Sequence, residues 1–86
     1  MKNKREKQFN KLFAKLPSHI QRQATEDFKI FKTNPYYKSF GFKLVDEQEA
    51  IYSVRIGLHY RALGQKEGDT MLWFWIGSHE DYNKLV

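Results

Sequence analysis

Two segments in the first part of the chain carry apolar residues at the spacing of amphipathic helices. The first segment repeats apolar residues at intervals of three, one and three: Phe9, Leu12, Phe13 and Leu16. The second repeats them at intervals of four, four and three: Ile20, Ala24, Phe28 and Phe31. Both spacings gather the apolar side chains on one helical face. Because Pro17 cannot continue the first helix and Pro35 cannot continue the second, we predict an antiparallel helical hairpin.

The start of the second helix carries a capping signal. Ser18 precedes Gln21 by three residues, which is the spacing of a capping box. In that motif the serine hydroxyl and the glutamine side chain each bond to a backbone amide of the first turn. The sequence therefore predicts that Ser18 caps this helix.

After Pro35 the apolar period changes to that of β-strands. Phe40, Phe42 and Leu44 alternate with Gly41 and Lys43 in the first predicted strand. Three more strands follow: "IYSVRIG", "YRALG" and "TMLWFWIG". The last is apolar on both faces, which indicates an inner strand. The sequence predicts an α+β fold, residues 1–86 in a single domain, with the N-terminal antiparallel helical hairpin packed on a four-stranded antiparallel sheet.

The connection between the second and third predicted strands decides which residues face each other. A three-residue loop pairs Arg55 with Arg61, whereas a two-residue loop would pair Arg55 with Ala62. Only the three-residue loop aligns the apolar positions of both strands on one face, so we favour it. Two arginines directly opposite each other repel, and a bound phosphate would relieve that repulsion. The alternative is that both arginines lie in solvent or pair with a glutamate: Glu47, Glu49 or Glu80.

Titratable side chains follow the last strand in "SHEDY". His79 is suited to general acid or base catalysis because the pKa of an unperturbed imidazole lies near neutrality. Tyr82 could donate a hydrogen bond or stack on a nucleobase. The alternative is that Ser78 caps a short helix whose first turn is acidic, and both interpretations can hold together. His59 lies in the predicted loop and could face either way.

Charge is concentrated in the first part of the chain. Residues 1–32 hold nine Lys or Arg and three Asp or Glu, whereas residues 33–86 hold six and seven. This basic part favours a polyanion or an acidic protein as partner, or it serves only solubility. The candidate RNA-binding residues are the lysines of the first helix region and one on the first strand: Lys4, Lys7, Lys11, Lys15 and Lys43.

Composition narrows the chemistry and the location. The chain has no cysteine, so disulfides, thiolate metal sites and cysteine nucleophiles are excluded. Neither a metal-ligand spacing nor a phosphate-binding glycine loop is evident, so we expect no metal and no cofactor. No apolar run approaches the roughly 20 residues of a membrane span, and no secretory signal is evident. We therefore expect a cytoplasmic protein that does not bind membranes.

In their order, these motifs resemble the RelE/ParE toxin superfamily of bacterial type II toxin–antitoxin systems. The resemblance rests on "YSVRIGLHYRALG", a Gly-Asp turn and "MLWFWIGSHEDYNKL". Together with the helical hairpin it covers nearly the whole chain. It implies a helical hairpin on an antiparallel sheet, and neutralisation by a cognate antitoxin protein. RelE-like members cut mRNA in the ribosomal A site without a metal, whereas ParE-like members poison DNA gyrase.

The resemblance also implies roles for individual residues. Arg61 matches the arginine that contacts phosphate, and Arg55 matches a basic residue on the preceding strand. His79 matches a basic or imidazole position after the last strand, and Tyr82 matches a C-terminal tyrosine. We therefore expect a toxin that acts as a metal-independent, ribosome-associated mRNA endoribonuclease. The alternatives are a gyrase-directed toxin or an inactive relative that only binds its antitoxin.

Two departures from the family pattern bear on activity. Ser53 stands where strongly active members often carry a second basic residue. No glutamate matches the general base that some members place before that strand, where Lys38 and Ser39 lie instead. Both departures bear on the ribonuclease chemistry rather than on the fold.

Overall fold

The computed structural model describes residues 1–85, so Val86, the last residue of the predicted domain, lies outside the described residues. The elements in chain order are β1 Lys2–Arg5, α1 Lys7–Ala14, α2 Ser18–Thr33, β2 Lys43–Asp46, β3 Ile51–Ile56, β4 Tyr60–Glu67, β5 Thr70–Ser78 and α3 His79–Leu85. A short 3₁₀ helix, Lys38–Phe40, precedes β2. None of the helices in residues 1–85 is long and apolar enough to cross a membrane.

The sheet has five strands in the order β1-β5-β4-β3-β2. The prediction of four antiparallel strands is wrong because β1 adds a fifth strand that runs parallel to β5. Asn3 anchors this strand: its Nδ2 donates to the Phe28 carbonyl at 3.0 Å, and its Oδ1 accepts from Trp73 Nε1 at 3.1 Å. The four residues of β1 are all polar or charged, so the strand has no apolar alternation and hydrophobic periodicity does not reveal it.

The helices α1 and α2 form the predicted hairpin. Phe9, near the start of α1, packs on Phe28, in the second half of α2, with ring centroids 5.8 Å apart, as antiparallel helices require. The predicted capping box is wrong, because Ser18 is already helical and the N-cap residue is Pro17. Gln21 Nε2 instead donates to three carbonyls at and just after the end of α1: Phe13, Ala14 and Leu16. The last carbonyls of a helix have no further helical turn to bond, so a side-chain amide from the next helix can bond to them.

The core lies between the hairpin and one face of the sheet. Trp73 on β5 is 1% exposed, and its ring centroid lies 4.9 Å from that of Phe28 and 5.3 Å from that of Phe31. Aromatic pairs of this kind stabilise a fold by about 0.5–1.5 kcal/mol beyond the area that they bury. Because β5 lies between β1 and β4, it is an inner strand, as its apolar sequence predicts.

A β-bulge in β5 sends its two tryptophans to opposite faces of the sheet. Leu63 pairs with Trp75 and Gly64 pairs with Trp73, which leaves Phe74 as the extra residue. Residues two apart in a regular strand share a face, and the extra residue reverses this alternation. Trp73 therefore lies in the core, while Trp75 packs against Tyr82 of α3 at a centroid distance of 6.4 Å. The bulge thus places one tryptophan on each face of the sheet.

Candidate functional site

Arg55 and Arg61 face each other across β3 and β4. The register pairs Arg55 with Arg61 and Ile56 with Tyr60, which confirms the predicted three-residue loop. The adjacent residues Val54, Ile56 and Ala62 are buried in the core, so the arginines project from the other side of the sheet. We call this side, which carries Lys43, Arg55, Arg61 and Trp75, the open face.

Neither arginine is neutralised within the part of the chain that the structure describes. The ion pairs in residues 1–85 join Met1 to Asp69, Lys29 to Glu26 and Lys84 to Asp81, and none includes Arg55 or Arg61. The proposed pairing with Glu47, Glu49 or Glu80 is therefore absent. The open face thus presents two opposed guanidinium groups with no carboxylate partner among these residues.

Two side chains, those of Ser53 and Tyr82, contact the guanidinium group of Arg61. One of its terminal nitrogens donates to Ser53 Oγ at 3.5 Å, and its guanidinium carbon lies 5.1 Å from the centre of the Tyr82 ring. Its buried Nε has no hydrogen-bond partner among residues 1–85. Ser53 is 0% exposed. Arg61 is therefore a half-buried cation with unused hydrogen-bonding capacity.

The short helix α3 places Tyr82 against Arg61. Ser78 caps this helix, because its Oγ accepts a hydrogen bond from the Asp81 amide at 3.1 Å. Tyr82 is 6% exposed and contacts both Arg61 and Trp75. Because the protein already covers its ring, Tyr82 offers no open face for a stacked nucleotide. Its position instead fixes the guanidinium of Arg61.

His79, the first residue of α3, lines a cleft at the end of the sheet. The cleft has a volume of about 370 Å³, and its lining residues are His59, Tyr60, Ser78, His79 and Glu80. The ring of His79 lies 6.3 Å from that of Tyr82, centroid to centroid. The structure thus brings His79, Tyr82 and Arg61 into one neighbourhood. It also settles the orientation of His59, which joins His79 in the same cleft.

The predicted RNA-binding lysines do not converge on Arg61 as a group. Lys43 pairs with Ser53 across the strands and so lies on the open face with the arginines. Lys4 lies on β1, at the opposite edge of the sheet. The other three belong to α1 or its C-terminal cap, on the core side of the sheet: Lys7, Lys11 and Lys15. Only Lys43 is placed to extend the charge of the arginine pair.

The sequence analysis did not predict the buried carboxylate of Asp27, which lies beside the loop between β3 and β4. Asp27 of α2 is 9% exposed, and burial raises its pKa above the ordinary value of 3.8. Hydrogen bonds from the Gln23 side chain, at 2.9 Å, and from the Gly57 amide oppose this rise in pKa. Asp27 therefore ties α2 to the loop between β3 and β4. One feature of the sequence indicates that Asp27 is buried: it lies within the apolar stripe of Ala24, Phe28 and Phe31.

A family model described as "ParE-like toxin domain" matches residues 18–84 of this chain. The match includes both arginines, both cleft histidines and Tyr82. Among curated proteins, no sequence matches the chain significantly.

Solved structures of toxins share the fold. The RelB–RelE antitoxin–toxin complex from Methanococcus jannaschii matches with a TM-score of 0.74 and 18% identity, over 95% of this chain and 96% of that chain. The RelE–RelB complex from Pyrococcus horikoshii matches with a TM-score of 0.73 and 20% identity, over 90% and 92% of the two chains. The isolated RelE toxin from E. coli matches with a TM-score of 0.69 and 17% identity, over 98% and 93%. At these identities the likeness establishes the fold.

Proposed function

The chain belongs to the ParE-like toxin family of the RelE/ParE toxin superfamily, and from this premise we propose that it inhibits translation as an mRNA endoribonuclease. It would cut mRNA on the ribosome, without a metal, by activating the 2′-hydroxyl next to the scissile phosphate. Action on ribosomes would place the protein in the cytoplasm.

The observation that carries this proposal is the pair of opposed arginines without carboxylate partners. Two guanidinium groups can donate paired hydrogen bonds to the oxygens of a phosphodiester and attract its negative charge. Arg55 and Arg61 would bind the scissile phosphate, and Arg61 would stabilise the charge that develops on the phosphorane. His79 would transfer a proton, and Tyr82 would hold Arg61 in place. Lys43 would guide the RNA backbone along the open face.

We propose a cognate antitoxin protein as the second partner. The similar toxins from M. jannaschii and P. horikoshii were crystallised with RelB antitoxins. Covering the arginine pair with acidic residues would abolish the proposed phosphate site. Restored growth after co-expression of a small protein encoded beside this gene would support such a partner.

Induced expression in a bacterial host tests the nuclease. We expect growth arrest, with cleaved messages detected by primer extension. Arg61→Ala and His79→Ala should each restore growth, whereas His19→Ala, an exposed change on α2, should leave the toxicity intact. Circular dichroism of the purified variants would confirm that they fold. Intact messages in arrested cells would contradict the nuclease proposal.

The second candidate is a toxin without nuclease activity. The family model that matches is described as ParE-like, and the buried Ser53 removes a basic position found in strongly active RNases. Such a chain would poison DNA gyrase, or it would only bind its antitoxin. Induction of the DNA-damage response without message cleavage would favour gyrase. Retained antitoxin binding with no toxicity at all would favour the inactive form.

A further inference from the structure

The two histidines of the cleft are joined through their backbones. The antiparallel pairing of β4 and β5 ends at Tyr60 and Ser78, so the next residues along the register are His59 and His79. The amide of His79 donates to the carbonyl of His59 at 2.7 Å, which carries the pairing one step beyond the strands. Residues opposed in this way have Cβ atoms about 4.5–5.5 Å apart. The two imidazoles therefore start from adjacent points of a fixed backbone.

Both imidazoles reach the same open cleft. His59 and His79 are exposed and line the cavity of about 370 Å³ together with Tyr60, Ser78 and Glu80. The cleft is next to the arginine pair, because Arg61 follows Tyr60 in β4 and pairs with Gly77 in β5. A phosphodiester held on Arg61 would thus have both imidazoles at the adjacent end of the sheet.

The neighbour of His79 is compatible with both protonation states of its ring. The side-chain amide of Asn83 lies 3.3 Å from His79 Nδ1. For Nε2 to accept and return a proton, Nδ1 must keep its hydrogen in both the neutral and the charged ring. The side-chain amide of Asn83 can present its oxygen to this Nδ1–H in both states. Nε2 is then the nitrogen that transfers the proton.

We propose that His59 is a second catalytic residue and that it forms an acid–base pair with His79. This inference rests on the ribonuclease function proposed above. One neutral imidazole accepts the proton of the 2′-hydroxyl as O2′ forms a bond to phosphorus. The other, an imidazolium, donates its proton to O5′ as the P–O5′ bond breaks. The products are a 2′,3′-cyclic phosphate and a 5′-hydroxyl end, and no proton is gained or lost overall.

The pairing accounts for a departure from the family pattern. No glutamate stands at the general-base position that some relatives use before β3. A second imidazole in the cleft supplies that missing proton acceptor from a different element. A rate that depends on one neutral and one charged imidazole has a bell-shaped pH profile.

Single-turnover cleavage of mRNA on programmed ribosomes, measured across pH, tests the inference. His59→Ala and His59→Gln should each lower the rate by about 10²- to 10⁴-fold, as loss of a general acid or base does. Each should also remove one limb of the bell-shaped pH profile. His19→Ala replaces the remaining histidine of the chain, outside the cleft, and should change neither the rate nor the profile.

A second substrate shows which histidine is the acid and which is the base. It also distinguishes loss of proton transfer from loss of folding. In this RNA, sulfur replaces the bridging O5′, and a thiolate leaves without being protonated. The variant that lacks the acid should recover on this RNA, whereas the variant that lacks the base should not. Recovery of either His59→Ala or His79→Ala alone supports the pair, and recovery of both or of neither overturns it.

The two proposals fail in different ways. Cleavage by the unsubstituted protein, with His59 variants that keep the full rate and both limbs of the pH profile, would overturn the role of His59 alone. Intact mRNA with the unsubstituted protein would overturn the proposed ribonuclease function, and this inference with it.

Discussion

The guanidinium carbon of Arg61 lies 5.1 Å from the centre of the Tyr82 ring, and that ring is buried. Contacts between a cation and an aromatic ring contribute about 0.5–2 kcal/mol, more where water is excluded. A long arginine side chain otherwise samples many rotamers, and fixing it before substrate arrives lowers the entropy lost on binding. The tyrosine therefore acts on the proposed chemistry through the arginine that it holds.

Replacing Tyr82 should separate the role of the ring from that of the hydroxyl group. Tyr82→Phe keeps the ring beneath Arg61, so the cleavage rate should remain close to that of the unsubstituted protein. Tyr82→Ala removes the ring and leaves a cavity beside Trp75, which should cost about 3 kcal/mol of unfolding free energy and most of the activity. Urea unfolding and ribosome-programmed cleavage provide the measurements. If the phenylalanine variant were as inactive as the alanine variant, the phenol itself would take part in the reaction.

Trp75 supports the same cluster and depends on the absence of a side chain at Gly77. A Cβ added to Gly77 would lie 2.7 Å from Cζ2 and 2.8 Å from Cη2 of the Trp75 ring. Gly77→Ala should therefore displace the indole and lower the unfolding free energy by about 1–3 kcal/mol, a typical cost of overpacking. Thermal unfolding and near-ultraviolet circular dichroism would detect the change.

A double-mutant cycle identifies the cause of that loss. Phenylalanine lacks the two atoms that would clash, so Gly77→Ala should cost clearly less when Trp75→Phe is already present. An equal cost in both backgrounds would show that the alanine strains the backbone instead.

Hydrophobic periodicity predicts the helical hairpin, the strands β2 to β5 and the opposed arginines of the candidate site. Alternation in "IYSVRIG" and "YRALG" predicts the register that opposes Arg55 and Arg61, since a two-residue loop would misalign the apolar positions. The strand β1 is not predicted because it has no apolar pattern of its own; pairing with β5 and the hydrogen bonds of Asn3 hold it in the sheet. The separate faces of Trp73 and Trp75 depend on a one-residue bulge that leaves no mark in the apolar run. Asp27 and the pairing of His59 with His79 arise from contacts between distant segments.

The buried carboxylate of Asp27 predicts an unusual pH dependence of stability. Its folded-state pKa is raised, so between pH 3.8 and that value the folded protein binds more protons at Asp27 than the unfolded chain does. This contribution is complete below the unfolded-state pKa and is lost as the pH rises through the folded-state pKa. Asp27→Asn removes the titration but keeps an oxygen that can accept from the Gly57 amide.

Chemical unfolding at a series of pH values measures this effect. The unfolding free energy of Asp27→Asn, relative to that of the unsubstituted protein, should increase as the pH rises from about 4 toward neutrality. Glu67→Gln, an exposed change at the end of β4, should show no comparable trend. A constant difference between Asp27→Asn and the unsubstituted protein across this range would mean that the carboxylate titrates alike in both states.

The positions of the lysines predict two different effects on RNA binding. Lys43 shares the open face with Arg55 and Arg61, whereas Lys7, Lys11 and Lys15 lie in α1 or at its C-terminal cap, on the core side of the sheet. A lysine that neutralises a phosphate releases a counterion, so its loss lowers the slope of log affinity against log salt by about 0.7–0.9. Lys43→Ala should lower the slope by this amount and weaken binding of a short single-stranded RNA.

The triple variant with alanine at Lys7, Lys11 and Lys15 is the matched control on the α1 surface. If a short RNA binds only the open face, this variant should keep both the affinity and the salt slope of the unsubstituted protein. It does so even though it removes three times the charge that Lys43→Ala removes. Fluorescence anisotropy titrations between 50 and 300 mM salt would measure both variants. An equal loss per lysine in the two variants would mean that the protein binds RNA through its overall charge. A loss confined to Lys43→Ala would locate the RNA on the face that carries Arg55 and Arg61.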